Sequence, residues 1–445
     1  MPGVDRLKSC YLLPDDKKYK LTHRTIDAIA QSFGVVFSSV EDADILLITV
    51  DDPDDLGFVR LARKKAGTRP LIAGGFECFG GEYLLRYCDA LNVGEGFDFF
   101  EALSSAKSAN DLYSLPFVMT REKTCVVPSY RIDEKTLPLV RITSGAYYYQ
   151  AGRGCKGKCL FCETSFAYQG WSNSPARING AIAYAEKKRA KLTLVTNDSA
   201  QIDHVSKSIN AQSVRVVDYL KNPELHKSSG ILHFGIEGFC EDHRKTFGKY
   251  ISDANVFELI ACLEQQNQPS EFFFITGLPG TFDAMMSFAA RVPNSVKTHP
   301  KIAVKLTRLD PSPHTPMWTY DLKKIDHVTH EQFKMFVAEI KSRNIRFSVF
   351  RQRSGARMIW RACLRRCTPD EVDSLGKEPE PSVDESIYTE QLEARGLSHL
   401  LTYCGYPMPG SQVVLSSRDL RDRMADKLGL ISINYKYSTP VQVTA

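Results

Sequence analysis

The sequence lacks the long apolar segments of membrane proteins and secreted precursors. None of its 445 residues lies in an uninterrupted apolar stretch of about 18 residues, the length that spans a bilayer. The opening stretch, MPGVDRLKSCYLLPDDKKYK, contains no hydrophobic signal region. We therefore expect a soluble, cytoplasmic protein that has no membrane partner.

A strong charge of either sign is also missing. The 57 lysines and arginines exceed the 52 acidic residues by only a few charges, for a net charge of +5. So small an excess favours a nucleic-acid partner only where the basic residues cluster. Twelve cysteines in a chain without a secretion signal argue against a disulfide scaffold. They favour reduced thiols or metal ligands.

The first part of the chain, residues 1–108, alternates apolar strands with amphipathic helices. This alternation is typical of a Rossmann-like parallel sheet with crossover helices. Such a sheet binds its ligand outside the carboxyl ends of the strands. The glycines expected at that edge are Gly74, Gly75, Gly94 and Gly96. Residues 109–145 lack a clean period, and we predict a linker there.

A second series of strands and helices covers residues 146–350. It predicts an α/β fold with a full or partial parallel barrel, whose chemistry lies at the carboxyl ends of the strands. The segments TNDS, GIEG and TGLPG are expected at those ends, and SVRVVDYL (213–220) is predicted as a further strand. Residues 351–445 predict a small, mostly helical C-terminal extension, in which Cys363 and Cys367 are expected to be packing residues.

Three cysteines, Cys155, Cys159 and Cys162, stand in a C-x3-C-x2-C pattern. Thiolates are soft ligands that suit iron–sulfur clusters or zinc. A structural zinc site needs four ligands, and no second cysteine pair follows at the usual distance. A thioredoxin-like pair would leave Cys155 without a role. Three thiolates on a four-iron cluster would leave one iron open for a substrate or cofactor.

The stretch GRGCKGKCLFC, with Phe161 before the last cysteine, resembles the cluster loop of the radical S-adenosylmethionine (SAM) enzymes. The resemblance implies a [4Fe–4S] cluster on the three cysteines and SAM on the open iron. It also implies an external electron donor, flavodoxin- or ferredoxin-like. In that family, an electron from the cluster cleaves SAM to a 5′-deoxyadenosyl radical.

Three later segments resemble further motifs of these enzymes. GIEGFCEDHRKTFGK resembles a segment whose glutamate, here Glu237, lies near SAM. FFITGLPGT resembles a turn beside the adenosine, although the glutamate of that pattern is missing. LVTNDSA replaces the Gly-Gly-Glu motif of many members, as the cobalamin-linked branch often does; its polar pair also fits a helix cap or a turn. The resemblance assigns cofactor binding to Gly277, Pro279, Gly280, Asn197 and Asp198.

RPLIAGGFECFGGEYLLRYCDALNVGEG resembles the cobalamin-binding domain that precedes the barrel in one branch of the family. The Asp-x-His-x-x-Gly element of many such domains is missing, and His23 stands in the wrong context to replace it. Two alternatives stay open. Cobalamin binds without a protein ligand, or the domain binds nothing and its four glycines form tight turns.

The resemblance implies an enzyme that modifies an unactivated carbon, with methyl transfer as the expected reaction if cobalamin binds. Rearrangement or oxidation stays open without it. One alternative is a methylthiotransferase-like enzyme acting on RNA or protein, whose first domain holds a second cluster. Another is a non-catalytic protein that binds zinc and nucleic acid. The substrate, whether small molecule, peptide or nucleic acid, is not specified by the sequence.

Overall fold

The structure is a computed structural model. It describes residues 6–14, 20–124, 126–132, 139–143, 145–155, 157, 159–165, 171–172, 174–195, 213–226, 230–313, 315–351, 355–380, 383 and 385–402. Within these ranges, no helix combines the length and the apolar character needed to cross a membrane.

The first sheet has five strands in the order β1-β2-β3-β4-β5. The first four run parallel, and β5 pairs antiparallel with β4. Its strands are β1 (Ser9–Tyr11), β2 (Ile45–Thr49), β3 (Leu71–Gly74), β4 (Ala90–Asn92) and β5 (Val118–Met119). Its helices are α1 (Lys20–Ser32), α2 (Leu56–Ala66), α3 (Gly96–Leu103) and α4 (Ala109–Tyr113).

Strand β2 explains why this sheet could be predicted. All five of its residues are buried, since helices cover both faces of the sheet. Ile45 and Leu47 pack with α1 and α3, whereas Leu46 and Ile48 pack on the opposite face with α2. A continuous apolar run is therefore the expected signature of this central strand.

The segment predicted as a linker, residues 109–145, contains regular structure. Helix α4 and strand β5 extend the first sheet, and strand β6 (Leu139–Thr143) pairs antiparallel with β7 (Ala146–Gln150). A two-residue strand and a five-residue helix are too short to show a hydrophobic period, which is why the sequence did not predict them.

The second series forms a partial barrel. Strand β10 pairs parallel with β7, and β11 to β14 form a four-stranded parallel sheet in chain order. The strands after β7 are β8 (Gly152–Arg153), β9 (Trp171–Ser172), β10 (Lys191–Val195), β11 (Leu232–Glu237), β12 (Ser270–Thr276), β13 (Ile302–Arg308) and β14 (Phe347–Arg351). The helices are α5 (Pro175–Lys187), α6 (Val216–Lys221), α7 (Glu241–Thr246), α8 (Asp253–Gln265), α9 (Thr281–Arg291) and α10 (His330–Arg343).

One strand prediction in this region was wrong. SVRVVDYL contributes only a bridge between Ser213 and His233, and the chain then enters α6. Its two adjacent valines favour a strand. However, Val216 and Tyr219 are the buried residues, three positions apart, and Arg215 pairs with Asp218 at the same spacing. Both spacings fit a helix, so the burial pattern outweighs the propensity.

The C-terminal segment packs against the first sheet. Its helices are α11 (Gly355–Arg366), α12 (Val372–Leu375) and α13 (Glu385–Ala394). Apolar residues of all three share one hydrophobic core with β2, β3 and α2. Cys363 and Cys367 lie buried in that core. The prediction of a mostly helical C-terminal segment holds for the described residues. These helices pack on the first sheet and complete its hydrophobic core.

Candidate functional site

The cysteine loop, residues 155–165, follows β8 and brings two thiols together around a glycine. The Gly157 N–H donates to the Cys155 Sγ at 3.2 Å. A Cβ atom on Gly157 would lie 3.1 Å from the Cys155 Sγ and 3.8 Å from the Cys159 Sγ. The Cys162 N–H donates to the Cys159 carbonyl at 3.1 Å, which closes a turn between these two cysteines. None of the three cysteines forms a disulfide, and all three are partly buried.

Backbone hydrogen bonds fasten this loop to the barrel. The Leu160 N–H donates to the Phe247 carbonyl at 2.9 Å, and the Leu160 carbonyl accepts from the Met317 N–H at 3.2 Å. Phe161 packs edge-on against Phe247 with ring centroids 5.4 Å apart. An apolar cluster with Ile275, Leu278 and Leu309 surrounds them. The loop therefore lies at the carboxyl ends of β12 and β13, as predicted for a barrel site.

Glu237 ends β11 next to the cysteine loop. Its φ angle of 70° is unusual for a residue with a side chain, and the strand register shifts between Gly235 and Glu237. Lys249 Nζ lies 2.9 Å from the Glu237 Oε1 and donates to the Gly235 carbonyl at 2.6 Å. The irregular backbone thus holds a largely buried ion pair at the strand end.

Lys249 links this ion pair to the thiols. Burial alone would lower the pKa of Lys249, but the Glu237 carboxylate and the Cys159 thiol outweigh it and raise the pKa. Burial raises the pKa of Cys159 to about 12, while Lys249 acts in the opposite direction. Lys249 therefore favours the thiolate that a metal ligand requires. We did not predict this residue, although the GK of GIEG…GK carries it.

The TGLPG segment turns the chain from β12 into α9. Gly277 and Gly280 have φ angles of 120° and 74°, in a region that favours glycine. The Pro279 carbonyl lies 3.0 Å from a ring nitrogen of His243. The Asp326 Oδ2 accepts from the first N–H of α9, on Thr281, at 2.9 Å. Asp326 comes from a distant loop, so no local pattern indicated it.

Some predicted residues lie outside the described part of the chain, namely Asn197 and Asp198. Within the described ranges, no three His, Cys, Asp or Glu side chains are grouped tightly enough to hold a single metal ion. A four-iron cluster is larger than one ion, and each cysteine binds a different iron atom. The metal-ligand role of Cys155, Cys159 and Cys162 therefore stays a prediction.

A second candidate site is a cavity of about 560 Å³ at the carboxyl edge of the first sheet. Gly74, Gly75, Gly94 and Gly96 all line it, together with residues of α1 and α3. Its opposite wall belongs to the barrel side of the molecule, namely Tyr148, Gln150, Arg153 and Thr164. Since Arg153 precedes the cysteine loop and Thr164 lies within it, the cavity extends from the first sheet to that loop.

Two of the four glycines are also required by packing. A Cβ atom on Gly75 would lie 2.6 Å from the Val50 carbonyl oxygen, and one on Gly94 would lie 2.1 Å from that of Ser129. Both residues have positive φ angles. By contrast, a Cβ atom on Gly74 would lie 3.8 Å or more from its neighbours. The tight-turn interpretation therefore applies to Gly75 and Gly94, and Gly74 has room for a side chain.

Most of the cavity lining is apolar, and the charged groups among its lining residues show no excess of positive charge. Glu95 pairs with Arg153 at 3.1 Å, and burial raises the pKa of Glu95 against the pull of this arginine. Burial also raises the pKa of Asp51 on the same wall. The Asn92 side-chain oxygen is buried without a hydrogen-bond partner among the described residues. These groups suit a ligand that donates hydrogen bonds more than one that carries several phosphates.

His23 does not face this cavity directly. Its Nδ1 lies 2.8 Å from the Tyr11 hydroxyl, which is also 2.7 Å from the Thr49 Oγ1. Tyr11 and Thr49 line the cavity, and burial lowers the pKa of His23 behind them. His23 thus contacts Tyr11 rather than the cavity itself.

No protein-family model matches the sequence, and no curated protein matches it significantly. The structure is similar to that of TsrM, a radical SAM methyltransferase from Kitasatospora setae, solved with cobalamin and a [4Fe–4S] cluster bound. The TM-score is 0.51 at 11% identity, over 72% of this chain and 78% of that one. OxsB, a cobalamin-dependent SAM radical enzyme solved with aqua-cobalamin, gives a TM-score of 0.46 at 12% identity, over 65% of this chain and 52% of that one.

The likeness to TsrM establishes the fold class. The chain has a Rossmann-like parallel sheet followed by a partial barrel, an architecture similar to that of TsrM. The fold class predicted from the sequence is therefore confirmed, and the resemblance to the cobalamin-binding branch of the radical SAM enzymes holds at the level of the fold.

Proposed function

We propose that this protein is a radical SAM enzyme that modifies an unactivated carbon. The observation that carries the proposal is the meeting of the cysteine loop, Glu237 and the Gly277–Gly280 turn at one edge of the barrel. These three motifs are spread over residues 155–280 of the sequence, and the apolar cluster around Phe161 brings them together. A shared binding site explains why motifs so far apart in sequence are adjacent in the fold.

The residues of the cysteine loop fit a [4Fe–4S] cluster. Cys155, Cys159 and Cys162 supply three soft donors, and Lys249 stabilises thiolate charge. When bound and reduced, the cluster supplies the electron that cleaves SAM. Leu160 and Phe161 cover one side of the loop with apolar surface, which would exclude water from a bound cluster. The electron itself must come from an external donor, for which a flavodoxin- or ferredoxin-like protein is our candidate.

The edge of β11 and β12 fits SAM. Glu237 presents a carboxylate beside the cysteine loop, where it can accept hydrogen bonds from an amino or hydroxyl group. The turn from Gly277 to Gly280 exposes backbone at the end of β12, and glycine lets a flat ring approach closely. The resemblance assigns these same residues to SAM, together with Pro279 in the middle of the turn.

The cavity of the first sheet fits cobalamin. Cobalamin carries many side-chain amides, which can donate to the carboxylates of Asp51 and Glu95 on the cavity wall. The same carboxylates would repel a dinucleotide, the usual ligand of a Rossmann-like edge. Bound cobalamin supplies a methyl carrier, so we propose methyl transfer as the reaction. The cobalamin bound to the neighbour TsrM supports this choice.

The two alternatives from the sequence gain no support. A methylthiotransferase-like enzyme needs three cysteines of the first domain on a second cluster, but Cys10, Cys78 and Cys88 are packed in hydrophobic core. A zinc-binding protein would leave the Glu237–Lys249 pair and the TGLPG turn without a role.

The test is anaerobic reconstitution of the full chain, with analysis of iron, sulfide and cobalamin. A reductant-dependent assay for 5′-deoxyadenosine follows. Cys159→Ala is expected to lose most of its iron and all SAM cleavage with the fold intact. Cys262→Ala, a partly buried cysteine on α8, is the matched control and should retain both. Unchanged iron in Cys159→Ala would refute the assignment.

A further inference from the structure

Two buried arginines of α11 face the interior of the molecule. Arg361 and Arg365 are each only 4% exposed. A buried guanidinium group is stable only when carboxylates and other acceptors surround it. The partners come from separate parts of the chain: Asp52, Asp54 and Glu77 near the first sheet, and Asp310 and Ser312 after β13.

Arg365 joins the cavity to the barrel. Its Nε and Nη2 donate to the two carboxylate oxygens of Glu77 at 2.9 and 3.0 Å, a bidentate pair. Glu77 lies two residues after Gly75, which lines the cavity. The remaining nitrogen, Nη1, donates to the Asp310 Oδ2 and the Ser312 Oγ, both at 3.2 Å. One guanidinium group therefore holds the edge of the first sheet against the carboxyl end of β13.

The same network reaches the cysteine loop. Glu163 directly follows Cys162. Its side chain is hydrogen-bonded to Ser312 and interacts electrostatically with the Arg365 guanidinium group. Thr164, the next residue, lines the cavity. The segment after the third cysteine is thus bonded to Ser312 of the barrel and, through Ser312, connected to Arg365 of α11.

We propose that Arg365 is a positioning residue that fixes the cysteine loop relative to the cavity of the first sheet. The proposal rests on the proposed function, because the distance between loop and cavity matters only if their ligands act on one substrate. Such a reaction is sensitive to displacements of about 1 Å, which can lower rates by about 100-fold. Helix α11 would then act as the tie between the two sites.

The test variant is the double substitution Arg365→Gln with Glu77→Gln. Arg365→Gln alone would leave the buried Glu77 carboxylate without its ion-pair partner, which is strongly destabilising. The double variant keeps a hydrogen-bonding side chain at both positions and removes both charges, so that no carboxylate at position 77 is left without its cation. The matched control is Arg86→Gln with Asp373→Asn. This ion pair, at 2.5 Å, joins the first sheet to the C-terminal segment at the exposed side of the interface.

The first measurement is hydrogen exchange of residues 159–165 in the full chain as purified, before any cofactor is added. The Leu160 and Cys162 amides are hydrogen-bonded, so their exchange is slow in the wild type. We expect faster exchange of this segment in the Arg365 double variant and wild-type exchange in the control. Faster exchange of α11 with unchanged exchange of residues 159–165 would overturn the proposal, since it would mean that Arg365 only stabilises the fold.

The second measurement uses the reconstituted full chain. We expect the Arg365 double variant to retain its iron, to change the electron paramagnetic resonance spectrum of the reduced cluster with SAM, and to form 5′-deoxyadenosine at least about tenfold more slowly. Wild-type spectrum and rate would overturn the proposal. If the double variant does not fold, Arg365→Lys replaces it. Lysine keeps the positive charge beside Glu77 but cannot form the bidentate pair, and the same criteria apply. A wild-type chain without cluster or SAM cleavage would refute the proposed function instead, and hydrogen exchange would still decide the role of Arg365.

Discussion

Gly235 allows Glu237 and Lys249 to meet beside the cysteine loop. A Cβ atom at this position would lie 2.4 Å from the Glu237 Oε1 and 2.7 Å from the Lys249 Nζ. Both atoms are at the ends of side chains, so the pair can move aside without a large change in the backbone. A side chain at position 235 should therefore disturb the geometry of the ion pair more than it disturbs the fold.

We expect Gly235→Ala to lower the free energy of unfolding by about 1–3 kcal/mol, the usual cost of overpacking. We also expect it to impair SAM cleavage, because Glu237 is displaced. Urea unfolding and the 5′-deoxyadenosine assay measure the two effects. Gly57→Ala is the control, since a Cβ atom there meets nothing within 4 Å. Equal behaviour of the two variants would contradict the role of the ion pair.

Glu82 is a buried carboxyl group of the first domain that takes no part in either site. Burial raises its pKa from 4.5 to about 7, so the folded state holds this proton more tightly than the unfolded state does. The free energy of unfolding contributed by Glu82 therefore falls as the pH rises from about 4.5 to about 7.

Glu82→Gln removes this titration. The variant is expected to be more stable than the wild type above about pH 7, by up to about 3 kcal/mol. The difference should vanish near pH 4. Urea unfolding of both proteins at several pH values measures it. A difference that does not grow with pH would show that Glu82 titrates normally in the folded protein.

At the scale of elements, α11 contributes to two structures at once. Its apolar residues complete the core of the first sheet, and its arginines reach the barrel. Leu364 is fully buried in that core. An element shared in this way should couple the stability of the C-terminal helices to that of the sheet.

We expect Leu364→Ala to cost about 3–5 kcal/mol, as for other large cavities in cores. Hydrogen exchange should speed up in β2 and β3 as well as in α11, since they share one core. Ile387→Ala, on the exposed side of α13, should change the stability by less than about 1 kcal/mol. Faster exchange confined to α11 would show that the C-terminal segment unfolds independently.

The elements that the sequence predicted well carry local signals. The buried run of β2 and the capping boxes that open α8 at Ser252 and α10 at Thr329 are examples. The prediction was wrong for α6 because a six-residue helix shows little hydrophobic periodicity, and its two adjacent valines favour a strand. At the site, the cysteines and Glu237 stand in contiguous motifs. Arg365 was not predicted because its partner Glu77 is 288 residues away, and only the fold brings them together.

At the scale of the whole molecule, the cavity is built by two parts of the chain that are far apart in sequence. Gly74 and Asn92 belong to the first sheet, and Tyr148 and Gln150 to β7. A ligand that fills this cavity contacts both parts, so binding should stabilise the folded molecule as a whole. A ligand at about 100 times its Kd adds about 2.7 kcal/mol.

Gly74 is the position at which this can be tested without disturbing the fold. A Cβ atom there is in ordinary contact with Asn92, so Gly74→Leu should direct a side chain into the cavity. Gly75 and Gly94 are unsuitable, since substitution there would strike backbone. We expect hydroxocobalamin to raise the Tm of the wild type and to leave that of Gly74→Leu unchanged, measured by thermal unfolding and equilibrium dialysis.

The control for Gly74→Leu is Gly180→Leu, on the exposed face of α5, where a Cβ atom meets nothing within 4 Å. It should bind cobalamin as the wild type does. If Gly74→Leu also binds like the wild type, cobalamin lies elsewhere. If neither the wild type nor the control binds, the cavity is not a cobalamin site, and its contact with Thr164 of the cysteine loop makes it the first place to look for the substrate instead.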